Sequence, residues 1–212
     1  HPYGTQTVLG TQEHLKNPSI TNIKNYHKTW YVPNNMAICL SGDFNPDEMI
    51  AIIDKYFGDM QPNPNLPKLE FPKEKEITEP IVAEVVGLEA ESVFLSWRFP
   101  GAGHPDGEKL ELLSQILFNG TAGLFDLNLI QQQKVLYGLC TPFTMSDYSA
   151  FIMYGGPKQG QTLEEVKDLF FAELKNLREG NFDEGLLEGI LNTYKRSQQM
   201  QLESNDSRAD MF

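Results

Sequence analysis

The chain has 212 residues and a formal net charge of −12, from 29 acidic and 17 basic side chains, with 40% hydrophobic and 11% aromatic residues. That composition suits a packed core in one large or two small domains, while the acidic field excludes a nucleic-acid phosphate backbone as partner. No apolar run approaches the roughly 18–20 residues of a membrane-spanning helix, so no membrane partner is expected.

The chain opens HPYGTQTVLGTQEHL without an initiator methionine, as expected of a piece excised from a longer protein. Ser19 then caps a predicted helix whose Ile23, Tyr26, Trp30 and Tyr31 share one face, and Pro33 stops it. NNMAICLSG is short and evenly apolar, the pattern of a buried strand, with Cys39 in it as a small buried hydrophobe. Asn45, Pro46 and Glu48 predict a capping box that opens a helix burying Met49, Ile52, Ile53, Tyr56 and Phe57, and Gly58 ends it. Residues 1–60 are thus expected to be the helix–strand–helix end of a preceding α+β unit. Five prolines make residues 61–80 a linker.

From residue 81 a second α+β unit is expected, truncated at its C-terminus. IVAEVV and SVFLSWRFP predict strands, PDGEKLELLSQILF and AGLFDLNLIQQQ helices, and VLYGLCTPFTM with YSAFIMYGG a strand pair. Thr162 and Glu165 cap a periodic helix carrying Leu163, Val166, Leu169, Phe170, Leu174 and Leu177, closed by Gly180. Asn181 with Glu184 starts a last helix, which Gly185 and Gly189 weaken by up to about 1 kcal/mol each. Strands close in sequence, followed by helices, predict an α+β fold with a mainly antiparallel sheet and helices packed on one face.

Chemistry is scarce in this pattern. There is no G-x-S-x-G elbow and no phosphate-binding loop. His1, His14, His27 and His104 are separated by 13, 13 and 77 residues, whereas a helical zinc site needs ligands roughly three to five residues apart. The pairs Asp47/Glu48, Glu164/Glu165 and Asp183/Glu184 all fall in predicted first turns, where a carboxylate complements the helix dipole. Asn119, in an N-G-T triplet, suits turn formation. Cys39 and Cys140 are too few for a thiolate metal site or a disulfide framework. The residues themselves therefore predict no catalytic group and no metal ligand.

Taken in order, HPYG, LGTQEHL, YVPNN, ICLSGDFNPDE, KYFGDM, FLSWRFPG, GLFDLNLIQQQKVLYG, TLEEVKDLFFAELKNL and DEGLLEGILNTYK resemble the insulinase/pitrilysin family of zinc metallopeptidases. The resemblance implies a larger protein of repeated α+β units whose halves close around a peptide. It implies zinc held by an H-x-x-E-H helix and a further glutamate upstream of this chain, with neither His1 nor His14 at a ligand position. The expected function is that of a non-catalytic domain, lining the substrate chamber and packing on the catalytic domain of the same protein or of a partner subunit. Peptide-bond hydrolysis is the activity of the parent protein.

Two alternatives stand beside it: a structural, non-peptidase relative serving as an assembly subunit, and a peptide-binding module acting through a strand edge. Tyr137 matches the tyrosine of the family's Leu-Phe…Leu…Tyr pattern and is the one candidate substrate-binding residue. An arginine often accompanies that tyrosine in the family, but Ile130 stands at its place and the stretch is one residue longer. The plainer alternative for Tyr137 is a strand residue packing its ring. Residues 19–57 are expected to dock on the sheet of the second unit, within one chain or exchanged in a homodimer.

Overall fold

The computed structural model describes residues 1–211. The chain separates into two compact units, one of residues 1–84 with the chain from Gln201 on, the other of Val85–Met200. No helix among the described residues is long and apolar enough to cross a membrane.

The first unit is built from short capped helices. α1 (Pro2–Thr5) is capped by the His1 side chain. α2 (Gln12–Lys16) carries a reciprocal box in which Thr11 Oγ1 accepts from the His14 amide and His14 Nδ1 accepts from the Thr11 amide. Ser19 caps α3 (Ile20–Trp30), as expected. The chain then turns through a 3-10 segment, Pro33–Asn35. Asparagines tie that turn down. Asn35 Nδ2 donates to the Trp30 carbonyl at 2.9 Å, and Asn34 and Asn63 exchange two 2.9 Å bonds between side chain and main chain. Asn63 also reaches the Thr29 carbonyl at 3.1 Å, so the start of the proline-rich stretch is fastened to the end of α3.

Asn45 caps α4 (Pro46–Phe57) by accepting from the Asp47 and Glu48 amides. The expected capping box is half made, because the Glu48 side chain does not return the bond. The expected buried face is also largely absent. Met49 and Ile53 are half-buried, whereas Ile52, Tyr56 and Phe57 are exposed. Val32 is the one buried hydrophobe among the described residues of this unit.

Residues 36–41 form no strand, and Met36, Ile38, Cys39 and Leu40 are exposed. Residues 81–86 likewise enter no sheet. A strand propensity is realised only when a neighbour pairs the main chain and covers a face. Neither segment has one, so the expected buried strand and the buried Cys39 are corrected.

The second unit holds the core. Its elements are β1 (Val93–Pro100), α5 (Asp106–Leu117), a π turn at Asp126–Ile130, β2 (Tyr137–Thr144), β3 (Tyr148–Gly156), α6 (Leu163–Glu179) and α7 (Glu184–Gln201). α8 (Asn205–Asp210) follows in the first unit. The sheet is antiparallel in the order β1-β3-β2, with Val93 opposite Gly155 and Tyr137 opposite Gly156. This is the α+β arrangement expected. One sheet face, with Leu95, Trp97, Cys140, Phe151 and Met153, packs against Leu110 and Leu117 of α5 and Val166 and Phe170 of α6. Thr162 and Glu165 form the expected box at the start of α6, and Gly180 closes it at φ +73°. α7 is entered from Asp183, whose Oδ1 accepts from the Gly185 amide at 2.7 Å, rather than from the expected Asn181.

The centre of this core is a ring stack. Phe125 and Phe170 lie 4.7 Å apart at 21°. Phe170 rests where the sheet has no side chains: a Cβ on Gly155 would stand 2.5 Å from its Cζ, and one on Gly138 3.3 Å from its Cε1.

The segment expected as a helix over AGLFDLNLIQQQ winds instead through the π turn, where the Gln131 amide donates to the Asp126 carbonyl at 2.9 Å. Buried Asp126 explains the difference. Its Oδ2 accepts from the amides of Asn119, Gly120 and Gly123, each at 3.0 Å, and so fixes the loop before it. With the loop fixed on one side and β2 on the other, the extra residue is absorbed by widening the turn. Asn119 is a turn residue, as expected: its Oδ1 accepts from the Thr121 and Ala122 amides.

Phe170→Ala is expected to cost about 3–5 kcal/mol, and Gly155→Ala about 1–3 kcal/mol by forcing a methyl into the ring. Urea unfolding of the purified chain measures both. A second expectation concerns the thiols. Burial, with the Asp126 carboxylate adding to it, pushes the Cys140 thiol up to about 12. Folding therefore favours the neutral thiol, a contribution fully present below roughly pH 8.5 and lost as pH rises from there toward the folded value. At pH 8 a thiol reagent should label Cys39 quickly and Cys140 only after denaturation.

Candidate functional site

Alternation along the strands divides the sheet into two faces. Side chains at Phe94 and Arg98 of β1, Tyr137, Leu139 and Phe143 of β2, and Tyr148, Ile152 and Tyr154 of β3 lie opposite the packed face, and none joins the core. Phe94 is 59% and Phe143 54% exposed. Arg98 lies 5.3 Å over the Tyr148 ring.

Tyr137, the one residue singled out from the sequence, begins β2 on this open face. Its ring lies over Gly156, where a Cβ would come within 2.4 Å of Tyr137 Cε1. Its hydroxyl donates to the Tyr154 hydroxyl at 3.1 Å, with the rings 5.5 Å apart. Beyond Tyr154 stands Phe94, its direct cross-strand neighbour, at 6.1 Å. The bond to Tyr154, with some burial, holds the Tyr137 phenol above its ordinary range. Tyr154 is held below its range chiefly by its bond with Tyr137, with the nearby Ser92 side chain adding to it, against weaker opposing effects of burial and Glu89. Tyr154 was missed in the sequence, although the alternation in YSAFIMYGG already placed Tyr148, Ile152 and Tyr154 on one face. Ile130 sits at the end of the π turn and packs against the core.

The histidines serve local structure and do not converge. His1 Nδ1 accepts from the Tyr3 amide, and its ring meets Tyr3 and Phe71 edge-on. His14 completes the α2 box, and His27 stacks on Tyr31 at 4.6 Å. His104 Nδ1 accepts from the Asp106 amide at 3.2 Å. Among the described residues no group of three or more His, Cys, Asp and Glu side chains could hold a metal ion. The residues present do not fit the zinc that the family resemblance implies for the parent protein. The three carboxylate pairs sit at helix starts, with Glu165 capping Thr162 and Glu164 paired to Lys167.

Comparison with known proteins agrees with this architecture. The family described as the peptidase M16 inactive domain matches residues 19–194. The chain is 24% identical over 220 residues to the zinc protease PqqE of Helicobacter pylori, covering 100% of this chain and 48% of that protein. It is 23% identical over 204 residues to the uncharacterized zinc protease YmxG of Bacillus subtilis, covering 95% of this chain and 48% of that one. The crystal structure of a protease from Helicobacter pylori superposes with a TM-score of 0.81 at 22% identity, over 96% of this chain and 50% of that chain. The periplasmic protease PqqL of Escherichia coli gives 0.60 at 15% identity, over 94% and 22%. The chain spans about half the length of the curated relatives it matches. An α+β unit with this sheet and the motif series read from the sequence, matched over 176 residues, place one conclusion on firm ground: the chain belongs to the peptidase M16 inactive-domain family.

Proposed function

We propose that this chain is the non-catalytic domain of a zinc-dependent peptidase, forming wall of the substrate chamber and packing against a catalytic domain of the same protein or of a partner subunit. The observation that carries this reading is the two-faced sheet, its helix-packed side closed and its other side presenting Phe94, Leu139, Ile152 and the tyrosine pair outward. Relatives named as zinc proteases, each about twice as long as this chain, supply the context of the parent activity. Zinc and the hydrolysis of the peptide bond belong to residues outside this chain. Its own residues bind and orient: an apolar floor for side chains, with hydroxyls for main-chain groups.

Residues 1–60 would close a preceding α+β unit, 61–80 would link it onward, and the chain from 81 would form a second unit. Within the connection, Asn63 is bound to Asn34 and Glu74 forms an ion pair with the N-terminal amine at 2.6 Å. Val82, Val85, Val86 and Leu88 further on are almost fully exposed and lie outside any regular element. Limited proteolysis should therefore cut first between residues 75 and 91. Initial cuts within α5 or α6 would refute the division.

The functional reading is tested on the purified chain with a fluorescently labelled unfolded casein peptide and elemental analysis. Saturable binding, no stoichiometric zinc and no chelator-sensitive cleavage are expected. Ile152→Asp on the open face should weaken binding about tenfold or more, whereas Leu187→Asp on α7 should leave it unchanged. One tightly held zinc per chain, or binding indifferent to Ile152→Asp, would overturn the reading.

A further inference from the structure

α5, which packs on the closed face of the sheet, and α7 leave between them a groove with a volume of about 1240 Å³, formed wholly by residues of the second unit. Leu112 and Leu127 line one side of it and Ile190 and Leu191 the other, with Leu127 and Leu191 still exposed. α7 adds little bulk along its length there. Gly185, Gly189, Thr193 and Ser197 recur every fourth residue on the groove side, and a Cβ on Gly189 would meet nothing within 4 Å. A main chain left bare in this way lets another helix come close. Among the described residues the charged ones that line the groove, Glu108, Glu111 and Asp183, are all acidic. We propose that this groove receives helix α3 of a second copy of the chain, so that two copies hold each other through a pair of equivalent contacts.

Length, apolar pattern and charge select α3. Its 11 residues span about 16 Å, against about 18 Å for the run of α7 from Gly185 to Ser197. Ile20, Ile23 and Tyr26 are each more than half exposed, so they have apolar area to bury. Lys24 and Lys28 stand one turn apart beside that stripe, and α3 carries no aspartate or glutamate. Glu108 and Glu111 are likewise one turn apart on α5, so the two lysines can face them when the apolar stripe enters the groove. α4 also exposes apolar residues, but Asp47, Glu48 and Asp54 would bring like charge to the same carboxylates. Exposed ion pairs of this kind fix register and partner more than they add affinity, which comes from the apolar stripe. Because each copy carries both the helix and the groove, two contacts related by a two-fold axis close the pair and leave no free end to propagate.

Sedimentation velocity of the whole chain over a concentration series tests this. The wild-type chain should show a monomer–dimer equilibrium. Gly189→Leu puts a side chain into the open groove and should raise the dimer dissociation constant about tenfold or more. Its melting temperature should not fall, since replacing a helical glycine favours the helix. The double variants Lys24→Glu/Lys28→Glu and Glu108→Lys/Glu111→Lys should each be monomeric alone and dimerise when mixed, because both contacts of the mixed pair then join opposite charges. A wild-type chain that stays monomeric would overturn the proposal, as would a dimer indifferent to Gly189→Leu or a mixture that fails to associate. A monomer whose α3 amides are protected from hydrogen exchange would place the helix in the groove of its own chain and equally overturn the second copy. Gly189→Leu should leave binding of the casein peptide unchanged, so this inference and the peptide reading fail separately.

Discussion

Phe170 can bring the tip of its ring against the sheet because two adjoining strands present glycine where it comes down. Gly138 and Gly155 are opposite one another in the β2–β3 register, and Phe125 stacks on the ring, with its own Cδ2 3.5 Å from where a Cβ on Gly138 would stand. Burying an aromatic side chain of this kind is worth about 1.5–3 kcal/mol by area alone. More follows from the position than from the area. The contact sets how closely α6 approaches β3, and through Phe125 it places the start of the π turn. That turn delivers the chain to Tyr137. Gly156, the next residue along, leaves the opposite face bare in the same way, and the Tyr137 ring occupies it. Gly138 and Gly155 thus seat the Phe170 ring on one side of the sheet, and Gly156 seats the Tyr137 ring on the other.

Buried polar groups lock this arrangement without orphaned partners. Asp126 collects three loop amides, and Glu173 on α6 accepts from Asn128 and Asn176 at 2.8 and 3.1 Å. No buried side-chain nitrogen or oxygen among the described residues lacks a partner. Leaving such a group unpaired would cost about 1–3 kcal/mol. The two carboxylates therefore act as staples, Asp126 for the loop ahead of the π turn and Glu173 between that turn and α6. Neither is presented to the open face.

What the sequence made legible follows a physical boundary. Capping residues act within three or four positions of their targets, so Ser19, Asn45 and the Thr162–Glu165 box could be located from spacing, as could the alternating strands β1, β2 and β3. The π turn could not, because it depends on Asp126 reaching back to Asn119 and Gly120 and on where β2 must begin. Segments 36–41 and 81–86 carry strand composition, but composition does not supply a pairing neighbour. The candidate site was half legible. The motif series pointed to Tyr137, whereas its bond to Tyr154 spans 17 residues and appears only when β2 and β3 are paired.

The exposed apolar residues of the two units differ in kind, and the difference bears on function. On α3 and α4 they are Ile20, Ile23, Ile50, Ile52 and Phe57, with Tyr26 and Tyr56 among them. Caps at Ser19 and Asn45 and the Asn34–Asn63 clamp hold these helices, and an apolar surface of this kind gains by being covered. The open face of the sheet sets Phe94, Leu139 and Ile152 around the hydrogen-bonded Tyr137–Tyr154 pair, and carries Arg98 farther along β1. Apolar area with a few placed polar groups is what holds an extended chain in one register rather than merely against a wall. Under the proposed function, packing would fall to the helical faces of the first unit and peptide recognition to the open sheet of the second. On that proposal, a domain whose described residues gather no metal cluster would still govern which peptides reach a catalytic partner and how they lie when they do.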